Sequence, residues 1–285
     1  MRAEAPSREE PDVLPELVPF NPRHHLETGR PTTYGTELDR SWISANGIHG
    51  GYVAGTAGRA VETALAPEGR TLRGFSARFV SPGAPGPAEI EVVVERSGRT
   101  LTTAGVRLSQ DGRLVLVGHA TASGTLGEGP DAPRWSDLAR PVPAVPPPDS
   151  ERIEPPEHLR HFDHAELRQG PTPAPFAGAS EAHLGSWLRP PSPMPLDAGW
   201  LLVVCDFLPP ALITRGTSLA VAPTVDYQVQ FTGTTPPTAV APDTWLYVEC
   251  RSQLAAAGFA AQDTVVWAAD GTVIALSRQN QLAAR

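Results

Sequence analysis

The segment Leu196–Leu208 (LDAGWLLVVCDFL) is apolar except for two carboxylates, which need different explanations. Asp197 stands at its start, where an acidic side chain caps a helix and meets the positive end of its dipole. Asp206 follows nine residues later, beside Val203, Val204 and Phe207. At about 100° per residue the two acids are half a turn out of phase and cannot share a face. An ionised carboxylate among such neighbours is costly, and burial lifts its pKa toward the range of a working general base. The plainer alternative is a helix ended by Pro209 with Asp206 turned to solvent. A second constellation is His49-Gly50-Gly51, ahead of a stretch of small residues. Backbone N–H groups at a helix start can hold the oxygen of a reacting carbonyl; Gly50-Gly51 and the Leu196–Ala198 turn are the candidates. His49 could polarise that carbonyl or touch a ligand, or simply cap or pack the helix.

Other chemistries are excluded by residue type. All 23 cationic side chains are Arg and the chain has no Lys. Schiff-base chemistry on a lysine and a GxxxxGK[ST] phosphate loop are therefore ruled out. The net charge of −8 lacks the electrostatic footprint of a nucleic-acid binder, and no nucleic-acid partner is expected. Cys205 and Cys250, both in apolar runs, build neither a disulfide framework nor a CxxC zinc site. His158, His161 and His164 (HLRHFDH) invite a metal reading. On a strand, however, a spacing of three sends neighbours to opposite faces, and no fourth ligand is evident, so no metal is expected. No G-x-S-x-G elbow is present, which argues against a serine hydrolase. Met1–Leu17 is acidic without an apolar centre, and no run of 18 apolar residues occurs. A cytoplasmic chain without a membrane partner is expected, and the all-Arg, Pro/Ala-rich composition suggests a bacterial source.

These groups must be positioned by the elements around them, which the chain describes nearly twice. Leu72–Val80, Ala88–Arg96, Arg99–Ser109 and Arg113–Thr121 alternate apolar and polar residues with the period of half-buried strands. The last two flank Asp111-Gly112, a strong hairpin signal. Gly50–Leu65 places Val53, Ala57, Ala60 and Val61 at helical spacing, with small residues where a sheet could approach closely. The first half thus reads strand, helix, then a meander of four strands. The second half repeats that order: a strand at Ser180–Leu188, the apolar segment Leu196–Leu208, then runs at Thr224–Thr232, Thr244–Gln253, Phe259–Ala268 and Thr272–Gln281. The Asp-Gly turn recurs at Asp270-Gly271, 159 residues after the first, with Gly258 and Gly98 at matching distances ahead. This is an internal duplication. Residues 127–158 include Arg140–Pro148 (RPVPAVPPP), which cannot pair in a sheet. They are read as a linker between units at 16–126 and 159–285, with 1–15 as a flexible tail. Trp200, Trp245 and Trp267 lie in apolar runs and read as core or interface.

A long helix laid across a curved antiparallel sheet is the hotdog arrangement. Two tandem repeats, each a central helix wrapped by such a sheet, make an α+β double hotdog. Within that frame the motifs take on a family likeness. The first half carries GIHGG (Gly47–Gly51), FSARFVSP (Phe75–Pro82), GRT (Gly98–Thr100) and Gln110-Asp111-Gly112; the second carries CDFLPPAL (Cys205–Leu212), TVDYQVQF (Thr224–Phe231) and SRQ (Ser277–Gln279). In order and approximate spacing these resemble the acyl-CoA thioesterase II-type enzymes, over about residues 20–125 and 160–285. In that family an Asp on the second helix, a Thr on the next strand and a Gln on the last strand hold the water that attacks the thioester. The resemblance carries these roles onto Asp206, Thr224 and Gln279, with His49, Gly50 and Gly51 against the substrate. Thr224 matches directly, since Thr-Val-Asp with Phe seven residues after the Thr is the family pattern. Asp206 departs from it: the family has two residues between its Asp and the Phe-Leu-Pro, whereas Asp206 directly precedes Phe207-Leu208-Pro209. Two residues turn a helical side chain by about 200°.

The resemblance implies no cofactor; coenzyme A enters as part of the substrate, and an acyl-carrier protein is the other candidate acyl donor. It also implies a homo-oligomer, although the duplication already supplies the pairing that single hotdogs take from a partner. Two further readings keep the fold: an acyltransferase or decarboxylase acting on a carrier-bound intermediate, and a non-catalytic acyl-binding protein.

Overall fold

The computed structural model describes residues 14–19, 27–124, 135–138, 152–192, 194, 196–217, 222–232 and 244–283. The first half provides β1 (Val18–Pro19), β2 (Pro31–Leu38), the short pair β3 (Ile43–Ser44) and β4 (Gly47–Ile48), helix α1 (Gly50–Leu65), then β5 (Thr71–Phe79), β6 (Gly86–Ser97), β7 (Leu101–Gln110) and β8 (Arg113–Ser123). The second provides β9 (Glu166–Gln169), β10 (Ala182–Arg189), helix α2 (Ala198–Phe207), then β11 (Thr224–Phe231), β12 (Leu246–Ala256), β13 (Phe259–Ala268) and β14 (Val273–Leu282). The alternating runs became strands because one face of each is buried and the other solvated; in β6, for instance, Ile90, Val92 and Val94 point inward.

Twelve strands form one antiparallel sheet in the order β1-β2-β6-β7-β8-β5-β11-β14-β13-β12-β10-β9. From the middle outward it reads β5, β8, β7, β6, β2 on one side and β11, β14, β13, β12, β10 on the other. The duplication is therefore a pseudo-twofold. Its two copies join where β5 pairs with β11, from Arg78 opposite Asp226 to Gly74 opposite Gln230. The architecture is a double hotdog.

Both helices bury their apolar sides in the core beneath this sheet. Side-chain caps set their starts: His49 Nδ1 accepts from the Tyr52 N–H at 3.3 Å, and Asp197 Oδ1 accepts from the Trp200 N–H at 2.7 Å. The small residues of α1 serve a neighbour other than the one expected. Gly51, Gly55 and Gly58 face α2, not the sheet. A methyl group on Gly55 would lie 2.7 Å from the Gly199 carbonyl oxygen and 3.0 Å from Val203 Cγ2. The helices run antiparallel in close contact, so the start of α1 meets the end of α2, and Arg59 meets Asp197 at 3.3 Å at the other end.

Three further readings need correction. Leu14, assigned to a flexible tail, is fully buried, and Arg59 Nη1 donates to its carbonyl at 3.2 Å. The rest of that tail, 1–13, lies outside the described residues, as does most of the linker 127–158. The described linker pieces dock on the second half: Trp267 Nε1 donates to the Leu138 carbonyl at 3.1 Å, and the Ile153 N–H to Leu167 at 3.1 Å. The histidine-rich stretch is a single 3₁₀ turn, Arg160–His164, and not a strand. Finally, the two Asp-Gly turns differ. Asp111 and Gly112 both take positive φ, 50° and 74°, as a tight mirror-image hairpin turn requires. At the second, only Gly271 does, and Asp270 Oδ1 accepts from the Thr272 N–H at 2.8 Å. Among the described residues no helix is long and apolar enough to cross a membrane.

Candidate active site

Helix α2 is buried on nearly all sides, and Asp206 in its last turn is the exception, with 12% of its side chain exposed into a cavity. The cavity measures about 470 Å³, within the usual range for small-molecule sites, and its walls are largely hydrocarbon from Ile48, Phe79, Val115, Phe162 and Leu208. Asp206, His49, Gly50 and Thr224 also line it.

The carboxylate is held from three elements. The Gly51 N–H at the start of α1 donates to Oδ2 at 2.6 Å; Gln279 Nε2 on β14 donates to Oδ1 at 2.6 Å; the Thr224 hydroxyl at the start of β11 donates to Oδ1 across 3.4 Å. Glycine is required at position 51, because a methyl there would lie 2.8 Å from Asp206 Cβ. Burial pushes the Asp206 carboxyl up, against the pull of His49, Gln279, Gly51 and Thr224. The result is a carboxyl of raised proton affinity, held in place by three donors.

Thr224 reaches the site through an irregularity. Tyr227, Val229 and Phe231 point inward on β11, so strict alternation would put Thr224, three residues before Tyr227, on the outer face. An extra residue between Thr224 and Asp226 bulges the strand, setting Thr224 opposite Gln281 while Tyr227 stays opposite Gln279. Both glutamines point inward, and the bulge carries Thr224 with them. Asp226 is left on the outside, paired with Arg78 at 2.9 Å.

His49 uses both ring nitrogens within the protein. With Nδ1 accepting from Tyr52, the proton sits on Nε2, which donates to the Asp206 carbonyl at 3.1 Å. Burial holds this imidazole below the ordinary histidine range, against the pull of Asp206. His49 thus caps α1 and ties it to the end of α2, and polarising a substrate carbonyl is not the role this geometry gives it. Likewise the Gly51 N–H is committed to Asp206. The Gly50 N–H in the same turn has no partner among the described residues and adjoins the cavity. The Leu196–Ala198 turn lies at the far end of α2, outside the cavity lining, and drops out as a carbonyl site.

Sequence reasoning missed the wall behind His49. His161 stacks on it at 4.6 Å and 12°, and His164 stacks on Trp42 at 4.0 Å and 4°. Burial, followed by the neighbouring His49, pushes His161 down to about 2. These histidines act as neutral aromatic plates, and among the described residues no group of three His, Cys, Asp or Glu is arranged to hold a metal. Trp200 and Trp267 are buried, and Trp245 lies under the Arg189 guanidinium. Two more glutamines, Gln262 and Gln281, contact Gln279. Their in-phase spacing with inward residues of β13 and β14 was the available signal.

A double hotdog whose helix seam presents a hydrogen-bonded carboxylate to an apolar cavity is the frame of a thioester hydrolase. Family models for the acyl-CoA thioesterase N-terminal domain and C-terminal domain match residues 38–124 and 137–283, the latter more than half of the chain. The protein belongs to the acyl-CoA thioesterase family and is a thioester hydrolase. Comparison with curated proteins gives no match. Among solved structures, a protein of unknown function with a hot dog fold from Alicyclobacillus acidocaldarius is 22% identical, with a TM-score of 0.79 over 92% of this chain and 96% of that one. An acyl-CoA thioesterase II from Mycobacterium marinum is also 22% identical, with a TM-score of 0.67 over 88% and 93%. At these identities the likeness shows the fold alone.

Proposed function

We propose that the protein hydrolyses acyl-CoA thioesters by direct attack of a water that Asp206 deprotonates. The observation that carries this reading is the convergence of Gly51, Gln279 and Thr224 on one carboxylate at the wall of an apolar cavity. The donors fix the carboxylate, so its remaining lone pairs have defined directions in which to hold a water. The Thr224 hydroxyl, donating to Asp206, keeps its own lone pairs for that water. As the water oxygen bonds to the thioester carbon, its proton passes to Asp206. The carbonyl oxygen gains negative charge, and the Gly50 N–H, at the positive end of α1, is suited to receive it. Collapse breaks the C–S bond, the proton returns from Asp206 to sulfur, and the products are a carboxylic acid and the free thiol of coenzyme A. The hydrocarbon walls suit an acyl chain.

The test is a panel of acyl-CoA substrates of graded length, read by thiol release. Purified protein should release thiol stoichiometrically with free acid, and Asp206→Ala should not. Undiminished turnover in Asp206→Ala would remove the assigned base. Mass spectrometry showing an acyl-transfer or decarboxylated product in place of free acid would replace hydrolysis with another outcome.

A further inference from the structure

Gln279 could turn either end of its amide toward Asp206. Only the Nε2 end suits an ionised carboxylate, which accepts and cannot donate; the Oε1 end suits the protonated acid. What selects the end lies one strand further away. The Ala211 N–H, a backbone donor that cannot reverse, donates to Gln262 Oε1 at 2.7 Å. Gln262 therefore turns Nε2 to Gln279 and donates to its Oε1 at 3.2 Å. Gln281 Nε2 adds a second donor to that oxygen at 3.1 Å. Gln279 Nε2 is left facing Asp206. All three glutamines are buried.

The duplication supplies an independent comparison. Gln262 pairs with Gln279 across β13 and β14, and Gln281 lies two residues on. The matching register across β7 and β8 pairs Ala104 with Ala120, and Ala122 lies two residues on. The half without the carboxylate has no glutamine at any of the three positions.

We infer that Gln262 is a positioning residue that fixes the direction of this hydrogen-bond chain, so that Gln279 stabilises Asp206 as the anion. The inference rests on Asp206 being the base. The other titratable groups around the carboxylate are His49 at the start of α1, Tyr227 on β11, Cys205 on α2 and Cys250 on β12. Burial keeps the histidine deprotonated and the phenol and both thiols protonated, so none brings a compensating charge. The amide chain therefore adds to the Gly51 N–H and the Thr224 hydroxyl in favouring the ionised state.

Gln262→Met removes both ends of the link without adding charge. It should lower kcat about tenfold with KM unchanged, and move the acid limb of the kcat profile upward by about one pH unit. Gln262→Glu keeps the shape and, once its carboxyl is ionised, offers only acceptors, forcing Gln279 to turn round, so at pH values where that carboxyl is charged it should cost more than the Met variant. If Gln262→Met fails to fold, Gln262→Glu decides between the two outcomes in its place. A carboxyl titration of Asp206 by ¹³C NMR in the full-length variants reads the same shift without turnover. It therefore separates the two ideas: activity surviving Asp206→Ala would sink the base assignment, whereas the titration tests the chain alone. A melting temperature that falls while the acid limb and the carboxyl titration stay in place would overturn the positioning role.

Discussion

The two halves share a frame and differ in what fills it. Nine residues beyond the cap of α2 stands Asp206; nine beyond the cap of α1 stands Gly58. Each half also has a bulge near the start of its first meander strand, at Thr224/Asp226 and at Leu72/Gly74. Register from these bulges equates Thr224 with Leu72 and Gln279 with Ala120. In the first half those positions are packed hydrocarbon: Leu72 and Ala120 are buried, and the Leu202 side chain lies against Gly58. The bulge and the close helix crossing thus belong to the fold, since both persist where no chemistry is present. The polar groups, which are costly to bury, occur in one copy only. That copy is still incomplete alone, because the first half lends it the Gly51 N–H and His49.

This contrast can be broken most severely at the carboxylate. Asp206→Asn should lower kcat by about 10²–10⁴, measured as thiol release under saturating acyl-CoA. Its effect on stability has a definite sign. A carboxyl whose folded pKa is raised stabilises the fold below its unfolded pKa and loses that contribution as pH rises through the folded value. The wild type should therefore lose melting temperature relative to Asp206→Asn as pH rises above the ordinary carboxylate range.

The matched pair Leu72→Ala and Thr224→Val separates the two halves. Leu72→Ala should cost about 2–5 kcal/mol in denaturant unfolding with kcat per folded molecule little changed. Thr224→Val should lower kcat by about tenfold with little loss of stability. Equal effects of the two substitutions on activity would mean that the first half also works chemically. Gly55→Ala pushes a methyl into the Gly199 backbone and should destabilise by about 1–3 kcal/mol.

The smallest effect belongs to the opposite end of the helix seam. Burial, then Asp197, push Glu62 up to about 7, with Arg59 opposing. Stability from this group is present below the ordinary carboxylate range and lost as pH rises through about 7. Glu62→Gln should flatten that part of the melting-temperature profile.

Much of the frame was legible because it is periodic. Strands β5 to β8 announce themselves by alternation, and the recurring Asp-Gly turns with the repeated order of apolar runs expose the duplication. Asp206 stood out because a carboxylate in an apolar helix needs a reason. What alternation could not reveal was the bulge that carries Thr224 inward, since a single inserted residue leaves the apolar pattern of Tyr227 to Phe231 intact. The partner of the glycine face was also hidden: small residues signal close approach without saying to what. Leu14 lies in a short apolar run, Val13-Leu14, within an acidic, proline-containing stretch that has no strand or helix period, and only the groove between the helices gives it a place.

The central claim is that water attacks the thioester directly, held by Asp206 and its neighbours. A single turnover in ¹⁸O-labelled water, with enzyme in excess over acyl-CoA, tests it most directly. The account predicts one labelled oxygen in the released acid from the first turnover and an unlabelled peptide containing Asp206. Label appearing in that peptide, with unlabelled acid released first, would mean that the carboxylate itself attacks, and would contradict the account.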